Sequence, residues 1–129
     1  MKNMSDIEIS KPGQFNYENR SWIRLLEFFK QENTMLKNRL AEVVDQKADK
    51  DFLALAEQFQ NKFIIKDEFI DELRHDIKIQ LDDILSAPDR LTNEKLIKNQ
   101  QKLRNEMVYF EKEFTSLKNE FNRYLSDSL

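Results

Sequence analysis

Residues 96–124 read LIKNQQKLRNEMVYFEKEFTSLKNEFNRY. Within them Leu96, Gln100, Leu103, Met107, Phe110, Phe114, Leu117, Phe121 and Tyr124 recur at steps of four and three. That spacing places all nine on one seam of an α-helix, and a sustained average near 3.5 residues winds such helices left-handedly around partners. Two upstream stretches repeat the pattern. One runs Trp22, Leu26, Phe29, Asn33, Leu36, Leu40, Val43; the other runs Phe52, Ala56, Phe59, Phe63, Lys66, Ile70, Leu73, Ile77. The fold class expected is therefore all-α: an antiparallel three-helix coiled-coil bundle, up-down-up, with a flexible N-terminal tail.

Composition agrees with this. The 129 residues include one Gly and two Pro, too few for a fold of many short strands. Charged residues make up 35% and are dispersed, as on the solvated faces of long helices. Ten Phe exceed what a two-stranded coiled coil accommodates at its seam, and call for a core of three or more helices.

The polar residues 1–18, with Pro12-Gly13 as a turn signal, read as a mobile tail. Helices are expected over about 20–46, 51–86 and 91–126, within a single unit spanning 19–129. Asn19 or Ser21 is expected to cap the first. The second seam is displaced by two residues from the first, so a break is expected near residue 49, with Asp49 or Asp51 as cap. Ser86-Ala87-Pro88-Asp89 ends the second helix, and Asp89 or Thr92 caps the third. Folding at these turns predicts that Asn33 faces Lys66 level with Phe110. It also predicts that Trp22 meets Ile77 and Gln100, whose amide would accept the indole N–H. Asn33, Lys66 and Gln100 interrupt apolar seams, the usual mark of residues that set register.

Several function classes find no support. With no Cys and one His, neither thiolate metal sites nor Ser-His-Asp or Cys-His catalysis is expected, and a single Gly gives no phosphate loop. Glu72 and His75 form one Glu-x-x-His pair where a carboxylate di-iron bundle needs two pairs and two further Glu. Asp71 and His75 could make only an unspecific surface site. No cofactor and no metal are expected. A net charge of −3 without a clustered basic face gives no reason to expect nucleic acid, and no apolar run suggests a membrane. A cytoplasmic, non-enzymatic protein is the reading, with no signal peptide expected from MKNMSDIEIS.

Two features point to activity of other kinds. Phe28, Met35, Ile64, Ile65, Val108 and Tyr109 fall off the seams, and all lie near the middle level of the rod. An exposed apolar girdle there would bind a protein partner or a second copy, giving a homodimer. Separately, Phe69, His75, Asp76, Ile77, Lys78, Leu81 and Ile84 follow the order found around a phospho-accepting His. The segment 66–85 resembles the H-box helix of sensor histidine kinases, over 20 of the 129 residues. Ile79 and Gln80 stand where that family has Thr and Pro, and no ATP-binding domain follows. The resemblance implies His75 as phospho-acceptor and Asp76 as its acid/base neighbour, in a stand-alone phosphotransfer bundle. The expected function is nonetheless scaffolding through protein contacts, with phosphotransfer as the alternative.

Overall fold

The computed structural model describes residues 4–47, 49–86 and 94–128, with side chains described from residue 13 onward. Three helices account for almost all of it: α1 (Met4–Gln46), α2 (Lys50–Ser86) and α3 (Glu94–Ser128). They pack as the three-helix bundle the seams predict. α2 and α3 each extend roughly 50 Å at 1.5 Å per residue. α1 and α2 approach each other most closely, while α3 stands further off. Its seam explains this, since Phe110, Phe114, Phe121 and Tyr124 hold a neighbouring backbone away.

The break between α1 and α2 occurs where the phase shift placed it. The Asp49 carboxylate accepts the backbone N–H of Asp51 at 3.1 Å, and its carbonyl accepts that of Leu53 at 2.9 Å. Asp49 is thus the N-cap, satisfying donors that the first turn cannot use itself. α2 ends at Ser86 as expected; the proposed caps Asp89 and Thr92 lie outside the described residues.

The tail expectation is corrected. α1 begins at Met4 and continues through Pro12-Gly13, so neither Asn19 nor Ser21 caps its start. Pro12 lacks one amide donor and Gly13 is a weak helix former, but tertiary contacts beyond them outweigh both costs. Phe15 is buried against Ile84 and Leu96. Asn19 is fully buried, and Glu18 is ion-paired to α3.

The core consists of three apolar clusters separated by two polar layers. At one end Leu40, Val43, Phe52, Phe59, Phe63, Leu117, Phe121 and Tyr124 pack together. The Phe63 and Phe121 rings meet edge-on at 5.1 Å, and Phe52 stacks on Tyr124 at 4.9 Å. The Tyr124 hydroxyl donates to the Phe52 carbonyl at 2.7 Å, which frees a buried phenol from an unpaired donor, and burial raises its pKa. The middle cluster gathers Leu26, Phe29, Ile70, Leu73, Ile77, Leu103, Met107, Phe110 and Phe114, with Trp22 half-buried against it. Phe15, Ile84 and Leu96 close the far end.

Asn33 separates the first two clusters. Its amide donates to the Phe63 carbonyl and to the Asp67 carboxylate, both at 2.8 Å, while its own buried oxygen has no partner. The partner expected at this level was Lys66; the structure gives Asp67 instead. The correction is one of helix phase. Asp67 turns toward α1, where Lys37 also pairs with it, and Lys66 turns toward α3. The second layer joins all three helices. Gln100 accepts from Asn19 at 3.2 Å and from Gln80 at 3.1 Å, and donates to Asn19 at 3.0 Å and Glu18 at 2.7 Å. The predicted Trp22–Gln100 bond is replaced by these, because Asn19 on the preceding turn reaches deeper than the half-buried indole.

Candidate functional site

Ion pairs distribute unevenly over the three helix seams. Lys30–Asp71 at 2.5 Å, Lys37–Asp67 and Arg74–Glu27 at 3.9 Å tie α1 to α2. Arg104–Glu18 at 2.7 Å and Lys118–Glu32 tie α1 to α3. Among pairs of described residues, only Lys62–Glu120, at 3.9 Å, spans α2 and α3. The hydrogen bonds that join these two helices sit at their ends, from Tyr124 to Phe52 and around Gln80.

The α2–α3 seam thus carries the fewest ion pairs among the described residues. At its middle lies a groove of about 660 Å³. Leu73 forms its floor, with Phe69 stacked on Phe110 at 5.4 Å. Tyr109 stands exposed on one wall and Glu72 and Asp76 on the other; Lys98 and Lys102 line it towards one end. A smaller depression continues the seam in the other direction, lined by Lys62, Ile65, Lys66, Glu113, Leu117 and Glu120. The opening follows from packing. Bulky α3 side chains hold the two backbones apart, and long charged side chains on the flanks cover the gap without filling it.

All six off-seam apolar residues are exposed, between 42% for Ile64 and 69% for Met35. They do not all line one groove. Ile65 and Tyr109 line the α2–α3 seam. Phe28 and Met35 are exposed on α1; Ile64 and Val108 are exposed on α2 and α3 without lining the groove.

His75 is exposed and makes no hydrogen bond or ion pair with another described residue. It lies between the core positions Leu73 and Ile77, on the side of α2 away from the other helices. Asp76 lines the α2–α3 groove, so the two adjacent side chains project in different directions and are not hydrogen-bonded. No cluster of three or more metal-ligating side chains occurs among the described residues. Nor is any helix there long and apolar enough to cross a membrane.

Besides Tyr124, which joins α3 to α2, the perturbed titrating groups among the described residues belong to the α1 contacts. Burial works to raise the Asp67 carboxyl, but hydrogen bonds from Lys37 and Asn33 outweigh it and hold the pKa below its ordinary 3.8. The hydrogen bonds that Arg104 donates to the Glu18 carboxylate, through Nε at 2.9 Å and Nη2 at 2.7 Å, raise the pKa of its guanidinium.

Sequence reasoning missed Phe69 as a groove residue and Asn19 and Gln80 as layer residues. The signal for the layer was present. Asn19 lies three residues before Trp22 and Gln80 three after Ile77, so both continue the seams. The groove had no such signal, because its width depends on how far α3 is held off. No family model, no curated protein and no solved structure matches this chain.

Proposed function

We infer that this chain is a non-enzymatic helical interaction protein whose working surface is the α2–α3 groove. One observation carries this reading. The groove is apolar at its floor and charged at its rims, and lies on the seam bridged by the fewest ion pairs among the described residues. A helix laid along it would bury Phe69 and Tyr109 and meet charges on both sides, the arrangement of helix-in-groove recognition. The absence of a convergent set of acid, base and nucleophile among the described side chains gives no support to a catalytic reading.

The test is affinity capture from native cells with the full chain and with Tyr109→Glu, which puts a charge at the centre of the groove. A partner retained by the parent chain and lost by the variant supports the reading. Equal capture by both would overturn it.

An exposed His75 on a bundle helix favours a second reading, phosphotransfer, since a donor protein must reach the imidazole. Incubation with a phosphodonor should then yield an acid-labile phosphohistidine that His75→Ala abolishes. No label on the parent chain would remove this alternative.

A further inference from the structure

The charges along the groove change sign at its midpoint, and do so oppositely on the two helices. Toward the Gln80 end, α2 contributes Glu72 and Asp76 while α3 contributes Lys98 and Lys102, together with Glu106, which pairs with Lys102 at 3.8 Å. Toward the Tyr124 end, α2 contributes Lys62 and Lys66 while α3 contributes Glu113 and Glu120. A surface patterned this way is complementary to itself when turned end over end. Self-complementarity is the requirement a two-fold interface imposes.

The spacing fixes where the axis would pass. Lys66 and Glu72 lie three residues either side of Phe69, and Lys62 and Asp76 lie seven either side. On α3, Lys98 and Glu120 lie eleven either side of Tyr109. When two copies of a helix run antiparallel, residues equidistant from the axis come level. Each of these three pairs then unites opposite charges across the interface, twice over by symmetry. Phe69 and Tyr109 come level with their own counterparts at the centre, and Ile65 comes level with Leu73, the floor of the groove. These three charged pairs and the apolar centre thus agree on one register, while Lys102 and Glu113 come level with Ser116 and Asn105.

Resting on the groove as the interaction surface, we propose that its occupant is a second copy of this chain, docked face to face and antiparallel about an axis through Phe69 and Tyr109. The lined length, from Lys62 to Asp76 on α2 with its continuation toward Leu55 and Asp83, covers about 40 Å of helix. With two helices side by side this reaches the roughly 800 Å² per partner typical of stable interfaces.

Reversal of charge tests the register. Lys66→Glu and Glu72→Lys each set like charges level across the interface. Each should weaken dimerisation about tenfold or more by sedimentation equilibrium. The double variant K66E/E72K restores opposite charges and should return to within about threefold of the parent. Restoration cannot arise inside one chain, because residues six apart on a helix do not face each other. Lys62→Glu with Asp76→Lys provides an independent pair, and helical circular dichroism identifies any variant that fails to fold. A nitroxide at position 83 should give an inter-subunit distance of about 40 Å, and one at position 109 a much shorter one. A parent chain that stays monomeric at about 1 mM would overturn the self-pairing. So would a double variant as weak as the singles, or short distances at both labelled sites. A monomer that still loses its captured partner through Tyr109→Glu would refute self-pairing alone and leave the interaction reading standing.

Discussion

The two ends of this bundle solve the same packing problem differently. Around Phe63 the three helices meet through apolar side chains, Phe59 and Phe63 of α2 against Phe121 of α3, Phe59 against Tyr124, and Leu40 and Val43 of α1 in the same cluster. Around Gln100 they meet through amides, each of whose polar atoms is satisfied by another helix. The aromatic end gains more from burial, because apolar area leaves water at no cost in lost hydrogen bonds. The amide end gains less but tolerates fewer alignments. A ring can slide by a fraction of a turn and still find apolar neighbours; Gln100 shifted by one turn would strand several donors and acceptors.

The most damaging change should be Phe63→Ala. It opens a cavity at a fully buried position and should cost about 3–5 kcal/mol in urea unfolding. The bundle would remain in register as far as it folds, since the polar layers are untouched. Gln100→Leu should cost less, about 1–3 kcal/mol, although it adds apolar surface to the core. It leaves Asn19, Gln80 and Glu18 short of partners. An equal or larger loss from Gln100→Leu than from Phe63→Ala would reverse the ranking of the two ends.

Acid should act between the ends, at the Asn33 layer. The Asp67 pKa is lowered by folding, so its contribution is complete above the unfolded value of 3.8 and is lost as pH falls through the lower folded value. Asp67→Asn should flatten that part of the stability profile, measured by thermal unfolding from neutral pH downward. An unchanged acid limb would mean that the Lys37 and Asn33 contacts do not hold in solution. The smallest effect belongs to His75→Ala. An exposed residue without partners should shift stability by no more than about 0.5 kcal/mol. A larger loss would place the imidazole in a contact.

The seams made most of the fold legible. They marked the core faces of all three helices, and their phase shift located the Asp49 cap. Carried further, the same spacing reached Phe15 and Asn19 upstream and Gln80 and Ile84 downstream. A local signal, Pro12-Gly13, argued against following it. The burial of Phe15 against Ile84 and Leu96, a tertiary gain that no local motif reports, outweighs one missing backbone hydrogen bond.

What the sequence determined alone is the set of residues that leave water. Helical periodicity assigns each apolar side chain to a face before any partner is known, because the backbone fixes 3.6 residues per turn. What only the tertiary structure decided is the spacing of the helices and the pairing of their polar groups. α3 stands further from α1 and α2 than these two do from each other because of the combined bulk of aromatic rings contributed by three segments. Asn33 meets Asp67 rather than Lys66 because of a helix phase set by all contacts together. Both depend on volumes and rotations summed over the assembled core, and no single stretch of chain contains that sum.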